Sequence, residues 1–95
     1  MITHIILVKL KDNNEEAING IKNKLLGIKG KIEYLKDLSV GVDFVHSEIS
    51  YDIAMVAKFN SKEDLNAYIA HPSHIEVGKY IEDIQENVVA VDYEI

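Results

Sequence analysis

The sequence predicts an α+β fold of the ferredoxin-like type, in which helices cover one face of a four-stranded antiparallel sheet. Three observations support this fold class. Four segments have the composition of β-strands, the segments between them contain helical periodicity, and the order along the chain is β-α-β-β-α(α)-β. This order is that of the split β-α-β arrangement. With 95 residues, 47% of them hydrophobic, we expect a single domain spanning residues 1–95.

The first part of the chain predicts a strand, a helix and a second strand. Residues 2–10 are rich in β-branched side chains and contain no glycine or proline, so they predict a strand. Asn13 or Asn14 can cap a helix over residues 15–28, where apolar residues recur at helical spacing. Residues 32–42 predict a second strand with an irregular middle.

Two further strands are predicted at residues 51–59 and 87–95, where apolar and polar residues partly alternate. The polar loop at residues 43–50 precedes the first of them and contains Phe44 and Val45. We expect these two apolar side chains to hold the loop against the core.

One glycine of the first helix also needs an explanation. Gly20 weakens a helix by about 1 kcal/mol relative to alanine. We therefore interpret it as a place where the helix lies close to the sheet.

Residues 61–84 organise the fold, because they contain two helix starts and the only proline. Ser61 precedes Asp64 by three residues, and Ser73 precedes Glu76 by the same spacing, as in capping boxes. Pro72 has no amide hydrogen and forces an extended conformation on the residue before it. These signals predict two consecutive helices with a corner between them.

The corner brings together residues that can transfer a proton. Tyr68 lies near the end of the first helix, His71 lies at the corner, and His74 lies in the first turn of the second helix. The helix dipole disfavours a cationic histidine in a first turn, so His74 is expected to be a neutral base beside a phenol. The plainer interpretation is that His71 caps the corner and that His74 bonds to a strand end.

Composition and charge exclude several classes of protein. The net charge of −6 argues against a nucleic-acid footprint and against an anionic membrane surface as partner. The chain has no cysteine, which excludes disulfides and thiolate chemistry. We see no secretory leader and no apolar run of membrane-spanning length, so we expect a soluble, cytoplasmic protein.

The second face of the predicted sheet is also apolar. On the first strand, Ile5 and Leu7 alternate with the residues that face the helices. A large apolar face left in water favours association, and a two-fold dimer covers it with a second copy of itself. We therefore expect a homodimer in which two sheets pack face to face as a dimeric α+β barrel.

The chain resembles the stress-responsive α/β-barrel (Dabb) domain family of the dimeric α+β barrel superfamily. The resemblance covers nearly the whole chain, and its most specific segment is YIAHPSHIEVG at residues 68–78. The other matching segments are HIILVKLKD at 4–12, VGVD at 40–43, SYDIAMVAKF at 50–59 and VVAVDYE at 88–94.

This resemblance implies a homodimer with a pocket between the sheet and the helices of each subunit. One plant branch of the family cyclises polyketides by an aldol-type reaction without a cofactor. The positions matching its general base and assisting tyrosine are His74 and Tyr68, and His4 matches a pocket histidine. His71 matches a histidine that is expected to be structural. Ile53 stands where the cyclases have a further histidine, a departure from their pattern.

Three hypotheses follow for the function. The first is a binding module whose pocket holds a small apolar molecule. The second is a cofactor-free enzyme of the polyketide-cyclase or monooxygenase kind, with His74 as base and Tyr68 assisting. In both, His4, His71, Ile53 and Phe59 are expected to line the pocket. The third is a metal site at the corner histidines, which the break in the helix between them disfavours. We expect no cofactor and no metal.

Overall fold

Three helices pack on one face of a four-stranded antiparallel sheet in the computed structural model, which describes residues 1–95. The strands lie side by side in the order β2-β3-β1-β4, and this confirms the predicted ferredoxin-like α+β fold. None of the three helices has the length and hydrophobicity of a membrane span. The elements are β1 (Ile2–Leu10), α1 (Glu15–Leu26), β2 (Asp37–Val42), β3 (Ile53–Phe59), α2 (Lys62–Ala70), α3 (Pro72–Ile84) and β4 (Gln85–Glu94).

The second strand is shorter than its sequence predicts. It begins at Asp37, so the prediction of a strand from residue 32 is wrong. Residues 32–36 instead form turns, in which the amide of Leu35 donates to the carbonyl of Ile32 at 3.2 Å. Ile32 is buried, so this apolar side chain contributes to the core although its backbone lies in a turn and not in a strand.

The corner between α2 and α3 differs from the prediction at the second cap. Ser61 caps α2 as predicted, accepting from the amide of Asp64 at 3.1 Å. The cap of α3 is not Ser73 but His71, as the plainer interpretation of the corner expected, and its Nδ1 accepts from the amide of Ser73 at 3.1 Å. The residue before a proline adopts the extended conformation that a capping residue needs, and Pro72 fits the first helical position. The helix therefore starts earlier than a capping box at Ser73 would allow.

The core lies between the sheet and the helices. Its sheet side consists of residues on alternate positions of β1 and β3, paired in the register that joins Ile2 to Phe59 and Val8 to Ile53. The helices close it with buried apolar side chains that include Ile21, Leu25, Tyr68, Val77 and Ile81.

The loop before β3 leaves its apolar residues in solvent, contrary to the prediction. Phe44 is 87% exposed and Val45 is 64% exposed. The loop is closed by its own hydrogen bonds, among them one from the amide of His46 to the Asp43 carboxylate at 2.8 Å. It therefore does not need contact with the core to hold its shape.

Helix α1 lies close to helix α3 at Gly20, and the sheet is not its neighbour there. A Cβ atom at Gly20 would lie 2.6 Å from the hydroxyl oxygen of Tyr80. The missing side chain makes room for Tyr80. The predicted close approach at Gly20 therefore exists, but the neighbour is α3 and not the sheet.

Candidate functional site

A cavity of about 390 Å³ lies between the sheet and the helix pair. This volume is within the range of small-molecule sites. The cavity wall is mostly apolar, with three aromatic or imidazole side chains on one part of it. Those three are His4 of β1, Tyr68 of α2 and His74 of α3. Thus Tyr68 and His74, the predicted phenol and base, border one common space together with His4.

Tyr68 forms the floor of this space. It is only 1% exposed, and its ring packs against Phe59 at 4.8 Å and against His74 at 4.6 Å between centroids. The hydroxyl makes no hydrogen bond within the protein. It is not fully enclosed, so it borders the cavity. Burial raises the pKa of Tyr68 to about 12, which keeps the phenol protonated as a hydrogen-bond donor.

His74 is held by the preceding helix. Its Nδ1 lies 3.0 Å from the carbonyl oxygen of Ile69. A carbonyl oxygen only accepts, so Nδ1 carries the proton and Nε2 of the neutral ring keeps its lone pair. Burial lowers the pKa of His74 and proximity to His4 lowers it further, whereas the bond to Ile69 acts in the opposite direction. Burial therefore favours the neutral form of His74, the form that the sequence analysis expected from the helix dipole.

His4 is held from the far end of the chain. Its Nδ1 contacts the carboxylate oxygen Oδ1 of Asp92, the residue directly opposite it on β4. A carboxylate accepts, so Nδ1 of His4 donates and Nε2 is the nitrogen left for other contacts. The His4 ring also lies 6.2 Å from the Tyr68 ring, in an edge-on arrangement. Asp92 thus fixes the orientation of a cavity histidine.

Three residues that the sequence predicted for the cavity do not line it. His71 uses its Nδ1 to cap α3. Ile53 is buried beside Val8 in the sheet, and Phe59 lies behind Tyr68 with no exposed surface. Both corner histidines use Nδ1 in a bond within the helix pair. No cluster of three or more possible metal ligands occurs in the chain.

Three polar residues of the site were missed by the sequence reasoning. Asp92 comes close to His4 only through the pairing of β1 with β4. Glu82 and Gln85 line the cavity from the end of α3 and the start of β4. Glu82 follows His74 and Gly78 at helical spacing, so the helical period was a usable signal for it. No comparable signal exists for Gln85.

The buried phenol gives a prediction for stability at high pH. The folded state raises the pKa of Tyr68 from 10.0 to about 12, so it favours the protonated form. The resulting stabilisation is present below pH 10 and is lost as the pH rises towards 12. We expect the free energy of unfolding to fall by roughly 2–3 kcal/mol from this group alone, since one pKa unit corresponds to about 1.4 kcal/mol.

The matched control for this prediction is Tyr68→Phe, which keeps the ring and removes the titrating group. Urea unfolding at a series of pH values should show a shallower loss of stability in this variant. If both proteins lose stability equally above pH 10, Tyr68 does not titrate as described.

Fold and site together define a class: a small α+β domain with an apolar helix–sheet cavity bordered by a phenol and two oriented histidines. The model of the "Stress responsive A/B Barrel Domain" (Dabb) family matches residues 2–95. The chain therefore belongs to the Dabb family.

Two curated plant proteins illustrate the range of its relatives. The chain is 33% identical to the stress-response A/B barrel domain-containing protein DABB1 of Arabidopsis thaliana, over 98% of this chain and 46% of that protein. It is 28% identical to olivetolic acid cyclase of Cannabis sativa, over 97% of this chain and 94% of the cyclase. The chain spans less than half the length of the first of these two relatives.

Solved structures share the fold. A dimeric protein of unknown function and ferredoxin-like fold from Bacteroides fragilis superposes with a TM-score of 0.85 at 28% identity, covering 99% of this chain and 95% of that one. A dimeric ferredoxin-like protein of unknown function from Thermobifida fusca gives a TM-score of 0.88 at 26% identity, covering 99% and 90%. Both neighbours are described as dimers.

Proposed function

We propose that this chain forms a two-fold homodimer and that each subunit binds one small, mostly apolar molecule in the cavity between sheet and helices. The observation that carries the binding function is the cavity itself. It holds about 390 Å³, and apolar side chains such as Leu25, Met55 and Ile81 make up most of its wall. An apolar wall with a few convergent polar groups is the usual form of a small-molecule site.

The homodimer is supported by the open face of the sheet. Ile5 of β1 lies between Val56 of β3 and Val91 of β4, and Leu7 lies between Ala54 and Val89. Val91 is 58% exposed and Leu7 is 37% exposed in the single chain. This continuous apolar surface favours association with a second copy. The two structural neighbours from Bacteroides fragilis and Thermobifida fusca are dimeric proteins.

Gly78 offers a direct test of the binding function. It lies on the face of α3 that lines the cavity, between His74 and Glu82, and a Cβ atom there would meet nothing within 4 Å. Gly78→Leu should fill part of the cavity and reduce the affinity for the neutral fluorescent probe N-phenyl-1-naphthylamine at least tenfold. The same change should raise the free energy of unfolding by up to about 1 kcal/mol, because leucine favours a helix over glycine.

Gly78→Ala is the matched control, since it gives the helical gain without filling the cavity. It should bind the probe as the unchanged protein does. Equal probe binding by Gly78→Leu, or no binding by the unchanged protein, would contradict the proposed binding site.

A second candidate function is cofactor-free proton transfer, and the state of His74 favours it. His74 presents a neutral ring with Nε2 free, and the Tyr68 phenol beside it can donate a hydrogen bond to a developing enolate. The 28% identity to olivetolic acid cyclase supports an aldol-type cyclisation as the reaction class. Ile53 supplies no imidazole, so this chain would rely on His4 and His74 alone.

A further inference from the structure

The start of β4 contains an irregularity that redirects one side chain. Pairing between β1 and β4 is regular as far as Lys9 opposite Asn87, but the next pair is Leu10 with Gln85. Glu86 is therefore an extra residue without a counterpart, as in a β-bulge. An extra residue reverses the alternation of side chains along a strand. Gln85 consequently lies on the side of Val88, and both residues line the cavity.

The redirected side chain ends in an unpaired acceptor. Oε1 of Gln85 is enclosed and has no hydrogen-bond partner, and no other buried side-chain oxygen or nitrogen atom in the chain is in this state. Buried acceptors normally have a partner, because leaving one unpaired costs its full desolvation energy. Because Gln85 borders the cavity, rotation of its amide group would let a molecule bound there donate a hydrogen bond to this unpaired oxygen.

Gln85 and His74 mark opposite ends of the helix that lines the cavity. A helix rises about 1.5 Å per residue, so the backbone at Gln85 lies about 16 Å beyond that at His74 along the axis. Apolar residues such as Val77 and Ile81 lie between them. A molecule that reaches both ends must be elongated and apolar in its middle.

The charges near Gln85 restrict the ligand further. Glu82, one turn before Gln85, also lines the cavity and carries a carboxylate. No lysine or arginine lines it. A carboxylate or phosphate at this end of a ligand would be repelled by Glu82 and would offer no proton to Gln85. Among groups that can donate, an uncharged hydroxyl costs less to bury against the mostly apolar wall than an ammonium does.

We propose that Gln85 is a specificity-determining residue that recognises an alcohol or phenol hydroxyl at the end of the ligand remote from His74. The ligand class is thus an elongated, apolar molecule with an uncharged hydroxyl at one end. This inference rests on the proposed binding function of the cavity.

The test compares two probes that differ only at the recognised group, 4-phenylphenol and 4-methylbiphenyl. Their dissociation constants are measured by displacement of N-phenyl-1-naphthylamine from the unchanged protein and from Gln85→Met, which keeps the side-chain length and removes the carbonyl. The ratio of the two constants should shift by about fivefold in favour of 4-methylbiphenyl in the variant, the size expected for one neutral hydrogen bond. Gln85→Leu serves as a second variant, and Glu86→Gln outside the cavity is the control.

The outcomes separate this inference from the function on which it rests. If both probes bind and their ratio is the same in all proteins, Gln85 does not recognise the hydroxyl while the cavity still binds apolar molecules. If neither probe binds the unchanged protein, the cavity is no site for such molecules and both proposals fall.

Discussion

Dissociation of the dimer into single chains is the expected result of Leu7→Asp. Leu7 lies in the middle of the open sheet face, flanked by Ala54 and Val89 on the neighbouring strands. In a two-fold dimer the substitution buries two carboxylates, one from each subunit, without cationic partners. Each unpaired buried charge costs several kcal/mol, and 1.4 kcal/mol corresponds to a factor of ten in affinity, so the dissociation constant should rise by at least ~10³.

Sedimentation velocity over a range of concentrations measures this change. Ile75→Asp is the matched control, because Ile75 is a 47% exposed apolar residue on α3 and lies away from the sheet face. It should leave the dimer intact. A Leu7→Asp protein that sediments as a dimer would show that the open face is not the interface.

The second large effect is expected at His74, on the exchange of a carbon-bound proton. If the cavity performs proton transfer, the protein should accelerate uptake of deuterium from heavy water into 2-tetralone, an apolar ketone with acidic C–H bonds. His74→Gln should lower the protein-dependent rate by about 10²–10⁴-fold, the usual contribution of a positioned general base. Mass spectrometry of the recovered ketone measures the exchange.

The pH dependence provides a second readout for His74. The pKa of His74 is lowered from 6.5, so the neutral base persists below the pH at which a free imidazole is half protonated. The acidic limb of the rate profile should therefore lie below pH 6.5. His46→Gln, at an exposed loop histidine outside the cavity, should change neither the rate nor the profile. Exchange no faster than in buffer would leave binding as the function of the cavity.

The predictable part of the structure follows from local signals. Strand composition, the cap at Ser61 and the proline at 72 depend on neighbouring residues, so the element order and the helix corner were accessible from the sequence. The proximity of Tyr68 and His74 was accessible for the same reason, because a single helix corner places their ring centroids 4.6 Å apart.

The remaining features depend on the register between distant strands and on competition between alternative helix caps. His4 meets Asp92, 88 residues further along the chain, because β1 and β4 pair with one particular alignment, which side-chain alternation alone does not specify. Gln85 faces the cavity only because the strand carries an extra residue. His71 became a cap because the conformation imposed by Pro72 prevailed over the capping box at Ser73. Each outcome is decided between alternatives that look alike in the sequence.

Strand β4 performs two tasks through its two faces. Val91 and Tyr93 belong to the surface proposed for the partner, whereas Asp92 between them holds His4, and Gln85 and Val88 border the cavity. A shift of this edge strand to suit a different partner would move the wall of the cavity with it. A substitution in β4 that alters the proposed partner surface is therefore expected to alter the cavity as well.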